Sequence, residues 1–179
     1  MDLTGTVWGA SAAEQHTARP CDDFMSMPYE RWTRAVDVAA PQELVFRWLA
    51  QLRTAPYSYD WIDFRGRKSP DQLPEKAEPL EIGQPFIVFR IVAFESDRHI
   101  TGVLPDEPAK RHGHMAVTYL LEPTPHGSRL IAAVDVEKRA KPLHRIQRRL
   151  TAWGDVIMMR KQLLTIKELA ERDAATPPA

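Results

Sequence analysis

A chain of 179 residues with 24 Lys and Arg against 24 Asp and Glu carries no net charge, so any pull toward nucleic acid or anionic lipid must come from a local patch. The length suits one domain that buries roughly two-thirds of its unfolded surface, and 44% apolar with 27% charged residues excludes wholesale disorder. The single cysteine, Cys21, closes no intrachain disulfide, the N-terminus lacks the pattern of a secretory signal, and charges interrupt every apolar run, which together predict a cytoplasmic protein without a membrane span.

Residues 1–28 mix small, polar and proline residues without a sustained period and read as an irregular arm, which Trp8 and Phe24 can pin to the body. From 29 to 38, Trp32, Arg34, Val36 and Val38 alternate with Thr33, Ala35 and Asp37, the period of a half-buried strand. Pro41 then opens a helix on which Leu44, Val45, Trp48, Leu49 and Leu52 share one face. Pro56 ends it, and the ring-rich segment 57–64 predicts a second short helix or an ordered loop before a turn at 65–70.

Four runs, 86–95, 99–104, 114–121 and 128–136, are rich in β-branched and aromatic residues and are separated by turn formers such as Ser96-Asp97 and His126-Gly127. They predict consecutive antiparallel strands. In the last, Leu130, Ala132, Val134 and Val136 alternate with Arg129, Ile131, Ala133 and Asp135. After Pro142, residues 143–172 hold no proline and one glycine, Gly154, and predict a long helix with two adjoining apolar stripes. One runs through Ile146, Leu150, Trp153, Ile157 and Leu164, the other through Val156, Met159, Leu163, Ile166 and Ala170. The tail 173–179 is expected to fray. The order is that of a single α+β domain over 29–172, in which a curved antiparallel sheet holds the long helix along its concave face.

Ala39-Ala40-Pro41 with Trp48-Leu49, the segment Tyr57-Ser58-Tyr59-Asp60-Trp61, and the helix end around Met158-Met159-Arg160-Lys161-Gln162-Leu163-Leu164 resemble the START-like, or SRPBCC, superfamily of polyketide cyclase/dehydrase type. The resemblance covers nearly the whole chain, and Trp8-Gly9-Ala10 with Asp22-Asp23 resembles the entry segment of one bacterial branch. It implies the helix-grip fold and a deep cavity for lipids, polyketides or similar apolar molecules. It implies no catalytic residue, because binders, transfer proteins and cyclases of that superfamily share no catalytic motif.

Within such a cavity the expected lining residues are Trp48, Tyr57, Tyr59, Trp61, Phe89, Tyr119, Trp153 and Ile157. Rings beside polar groups serve equally to pack the short helix at 57–61, with Asp60 as a cap or ion-pair partner. The candidates for proton transfer or enolate stabilisation are Asp60, Tyr59 and Arg160, with Asp63 a further carboxylate. Arg160 stands near the Trp153, Ile157, Leu164 stripe, where it would meet a ligand's acidic group, pair with Asp60, Asp63 or Asp155, or snorkel to the surface. Arg90 is expected on the outer face of its strand, and Met158 and Met159 suit an adaptable pocket or plain core.

His112 and His114, two apart at a strand start, would share a face, yet no third ligand stands at a recognisable spacing, so no metal site is expected. The run 138–149 holds Lys138, Arg139, Lys141, His144, Arg145, Arg148 and Arg149 without an acid; it is a candidate for transient contact with a membrane surface or an acidic partner, or a solvated face. Neither a dinucleotide fingerprint, a phosphate loop nor a nucleophile elbow is present, so no cofactor, no nucleic-acid partner and no nucleophilic catalysis are expected. The reading is a binder of an apolar small molecule. The alternatives are a cyclase or dehydratase using the same cavity and, more weakly, a membrane- or protein-interacting regulator.

Overall fold

Residues 130–134 are a continuous apolar run, and the strand that holds them lies inside the sheet, buried on both faces along most of its length instead of on the single face expected. The computed structural model describes residues 5–58, 68–74, 76, 78–138 and 142–176, with side chains in the last segment from 148 onward. Within these residues the elements are β1 (Val7–Trp8), α1 (Ala12–His16), β2 (Tyr29–Val38), α2 (Gln42–Ala50), β3 (Pro85–Phe86), β4 (Phe89–Glu95), β5 (His99–Val103), α3 (Asp106–His112), β6 (Met115–Thr124), β7 (Gly127–Glu137) and α4 (Pro142–Ala175). Single 3-10 turns lie at Pro20–Phe24 and Gln51–Arg53.

Among the described residues seven strands form one sheet in the order β1-β2-β7-β6-β5-β4-β3. All neighbours are antiparallel except β1, which adds to β2 in parallel. The helix α4 crosses one face of this sheet, so the expected α+β class, with short helical pieces following the long first strand, is what the chain adopts.

Three local expectations are corrected. The arm before residue 29 is not irregular. Ser11 and Glu14 close a capping box on α1, and Gly9, with φ near +69°, brings the chain so near β2 that a Cβ there would lie 2.1 Å from the Ala35 carbonyl oxygen. The expected strand 86–95 is broken into a hairpin, β3 to β4, whose two turn residues are Ile87 and Val88. Ile87 sits at φ 58°, a conformation that β-branched residues adopt only when their surroundings hold them there; its N–H donates to the Leu52 carbonyl at 3.0 Å. Finally, His112 ends a helix and Gly113, at φ 94°, turns the chain before β6, so His112 and His114 are not neighbours on one strand face.

The two stripes of α4 separate cleanly. Ala152, Val156, Met159, Leu163, Ile166 and Ala170 are buried against the sheet and α2, at alternating spacings of four and three residues. Leu150, Trp153 and Ile157 face outward. The end of the helix is anchored rather than frayed through Asp173, whose carboxylate accepts the indole N–H of Trp48 at 3.0 Å; residues 177–179 lie outside the described set.

Candidate functional site

Alternation on β6 turns Met115, Val117 and Tyr119 toward α4, and Val134 on β7 stands beside them. The helix does not fill the space over them. A pocket of about 370 Å³ remains, partly open to solvent and bordered by Leu52 to Pro56 after α2, by the hairpin tip Ile87 to Phe89, and by Asp155, Met158, Met159 and Gln162 of α4. A second cavity of about 340 Å³ adjoins it toward the start of α4, under Trp32, Leu104 and Val136, and the two share Val88 and Met115 as walls.

The larger cavity is mostly apolar; Arg53, Thr54 and Ser58 add polar groups after α2, and a second polar cluster lies on α4 and the rung facing it. There Arg34 on β2, Ala132 on β7 and Tyr119 on β6 stand in register across the sheet. Arg34 is fully buried and bonds three ways: to the Thr6 carbonyl at 2.6 Å, the Gly5 carbonyl at 3.0 Å and Asp155 Oδ2 at 2.9 Å. Burial pushes the Asp155 carboxyl up to about 6, with Arg34 pulling against it. Tyr119, fully buried, donates its hydroxyl proton to Gln162 Oε1 at 2.5 Å, and Gln162 Nε2 donates to the Pro56 carbonyl at 2.6 Å. Burial raises the Tyr119 phenol well above its ordinary range, and the nearby Asp155 charge adds to that.

No family model and no curated protein matches this chain. Solved structures do. A Rhodobacter sphaeroides protein aligns at 18% identity over 83% of this chain and 95% of its own, with a TM-score of 0.52. A Staphylococcus aureus protein of unknown function aligns at 10% identity over 84% and 99%, with 0.51. The di-domain ARO/CYC StfQ of the steffimycin biosynthetic pathway aligns at 13% over 83% of this chain and 52% of its own, also with 0.51. The chain shares the helix-grip fold of these structures, a sheet that holds a long C-terminal helix.

Within this helix grip the residues named from sequence scatter. Phe89 and Tyr119 are on the cavity wall, as are Met158 and Met159. Trp48 and Tyr57 meet edge to face, with ring centroids 5.9 Å apart, and both are fully buried behind the wall as core packing. Trp153 and Ile157 are corrected outright: they are 39% and 52% exposed on the outer face of α4, Trp153 lying against Gly5 of the arm. Arg160 is also outside, its guanidinium 5.5 Å above the ring of Trp8, and so does not face the cavity as a proton-transfer group. Arg90 is exposed, as expected, and donates to the Gly83 carbonyl. Tyr59, Asp60, Trp61 and Asp63 lie outside the described residues.

Sequence reasoning passed over the pair that shapes the polar wall, Arg34 and Asp155, and with it Gln162. One signal was present: Arg34 shares a strand face with Trp32, Val36 and Val38, and an arginine on a core-facing stripe requires a buried acceptor.

On the opposite face of the sheet, Arg31 bonds Asp135 through Nε and Nη2, both at 2.8 Å, and also pairs with Asp22 beside the buried Cys21. Cys21, Asp22 and Asp135 come close enough together for a metal, but the Arg31 guanidinium already engages both carboxylates, so the cluster is an ion-pair network. Among the described residues no helix is long and apolar enough to cross a membrane.

Proposed function

We propose that this chain binds an apolar small molecule in the cavity between its sheet and α4. The observation that carries the reading is the cavity itself: about 370 Å³, walled mainly by aliphatic, aromatic and thioether side chains, with Asp155 and Gln162 on its α4 side and Arg53, Thr54 and Ser58 after α2. That volume is within the range of small-molecule sites. A ligand burying about 300 Å² of apolar surface would gain about 7 kcal/mol at about 25 cal/mol per Å², before the cost of association. The soft side chains of Met115, Met158 and Met159 let such a wall adapt to its occupant.

The test pairs native mass spectrometry of protein purified gently from its host with binding of the uncharged dye Nile red. A co-purifying apolar metabolite, and dye binding abolished by the cavity-filling substitution Val134→Phe, are the expected results. Dye binding that survives Val134→Phe in a folded protein would place the ligand elsewhere.

A second reading, a cyclase or dehydratase acting in the same cavity, is favoured by Asp155, a carboxylate that changes charge near neutrality on the wall. Its mark would be a transformed molecule beside its precursor in the co-purified material. We place the protein in the cytoplasm. The membrane-contact reading of the run 138–149 loses part of its charge to the protein itself, because Arg148 pairs with Glu30 at 3.0 Å.

A further inference from the structure

The cavity's polar side on α4 and the facing rung presents mainly acceptors. Tyr119 has one proton, and it is held by Gln162 Oε1. The orientation of that amide is set by the Pro56 carbonyl, which accepts and so must face Nε2. The phenol oxygen is thereby left able to accept only. Asp155 gives Oδ2 to Arg34, while Oδ1 has no hydrogen-bond partner among the described residues, although the carboxylate keeps 22% of its surface open.

Two further donors on the wall, Thr54 and Arg53, are spent on the protein. The Thr54 hydroxyl donates to the Gln51 carbonyl at 2.9 Å. The Arg53 guanidinium reaches the carbonyls of Ala50, Glu78 and Pro79 and the side chain of Gln84. The positive charge of Arg34 is similarly enclosed by Asp155 and the carbonyls of Gly5 and Thr6.

From this arrangement we propose that the cavity selects uncharged apolar molecules bearing a hydrogen-bond donor, such as an alcohol or phenol, which they present to Asp155 Oδ1 or Tyr119 Oη, and rejects carboxylates. The inference rests on the cavity reading above and narrows it to a ligand class. A carboxylate entering here would be repelled by the Asp155 charge and would face the acceptor side of Tyr119, a cost that the one remaining N–H of the Gln162 amide does not offset. A cationic ligand would gain little, because the Asp155 charge is already shared with Arg34, and a second buried cation on one carboxylate is not neutralised. A hydroxyl donates without bringing charge, and a hydrogen bond to a charged acceptor is among the stronger ones available in a dry site.

Three probes of one ring system test it at pH 8: naphthalene, 2-naphthol and 2-naphthoate, titrated calorimetrically into the intact protein. The expected order is naphthol tightest, by about tenfold over naphthalene, and naphthoate weakest. Asp155→Asn and Tyr119→Phe should each lower the ratio of naphthol to naphthalene affinity. The wild-type comparison requires no variant to fold. Naphthoate binding as tightly as naphthol, or naphthol binding no better than naphthalene, overturns the acceptor assignment alone. If naphthalene itself fails to bind, the apolar-cavity reading falls and takes this inference with it.

Discussion

Exchange of Asp155 for Asn isolates the cost of keeping a carboxylate between α4 and β2. Its carboxyl is raised from 3.8 to about 6, chiefly by burial, so Arg34 does not fully repay the desolvation. A shift of that size corresponds to about 3 kcal/mol at about 1.4 kcal/mol per unit, an upper bound for a side chain that keeps some exposure. The folded state binds this proton more tightly than the unfolded chain does. The stabilising contribution is therefore complete below pH 3.8, is lost as pH rises toward 6, and is absent above it.

Asn is isosteric with the protonated acid and keeps an oxygen for Arg34, which stays charged in both proteins and cancels from the comparison. Urea unfolding of both proteins between pH 4 and pH 8 should then show Asp155→Asn at least as stable as the parent at pH 8, by up to about 3 kcal/mol, with the difference closing toward pH 4. A variant that is about 2 kcal/mol less stable at pH 8, or a difference that does not vary with pH, would refute the reasoning and make the ion pair a net stabiliser.

Gly154 lies in the interior of α4 with nothing within 4 Å of where a Cβ would stand. Gly154→Ala should therefore raise stability by about 0.5–1 kcal/mol, seen calorimetrically as a rise of about 1–4 °C; a fall would mean that the helix needs the glycine's conformational freedom there. Arg160→Ala removes a cation stacked on Trp8 and should cost about 1 kcal/mol or less with Nile red binding unchanged, whereas lost binding would return Arg160 to the cavity. The Cys21 thiol is buried and pushed up to about 12, so iodoacetamide at pH 8 should label it only in urea-unfolded protein; rapid labelling of the native state would contradict its burial beneath the Pro20–Phe24 turn.

The corrections share a physical origin. Runs of β-branched and apolar residues between turn formers are read directly even where both faces are buried, which is why β2, β6 and β7 were legible. A helix with two apolar stripes is different: spacing says that both are apolar, not which one the sheet will cover, and Trp153 and Ile157 belong to the uncovered one. The hairpin at Ile87 and Val88 carries none of the glycine or asparagine that announces such a turn, since the Leu52 carbonyl and the packing around it hold a strained backbone.

Local sequence thus determined the α+β class, the strands 99–104, 114–121 and 128–136 and the approximate extent of α4, because these follow from patterns within single segments. The polar wall did not follow from them. Arg34 and Asp155 are 121 positions apart, Tyr119 and Gln162 are 43 apart, and their meeting depends on α4 crossing the sheet over the rung of Arg34, Ala132 and Tyr119. Only that crossing, which buries opposite charges together and leaves a void beside them, decides that this helix carries the cavity's chemistry on the face turned away from Trp153 and Arg160.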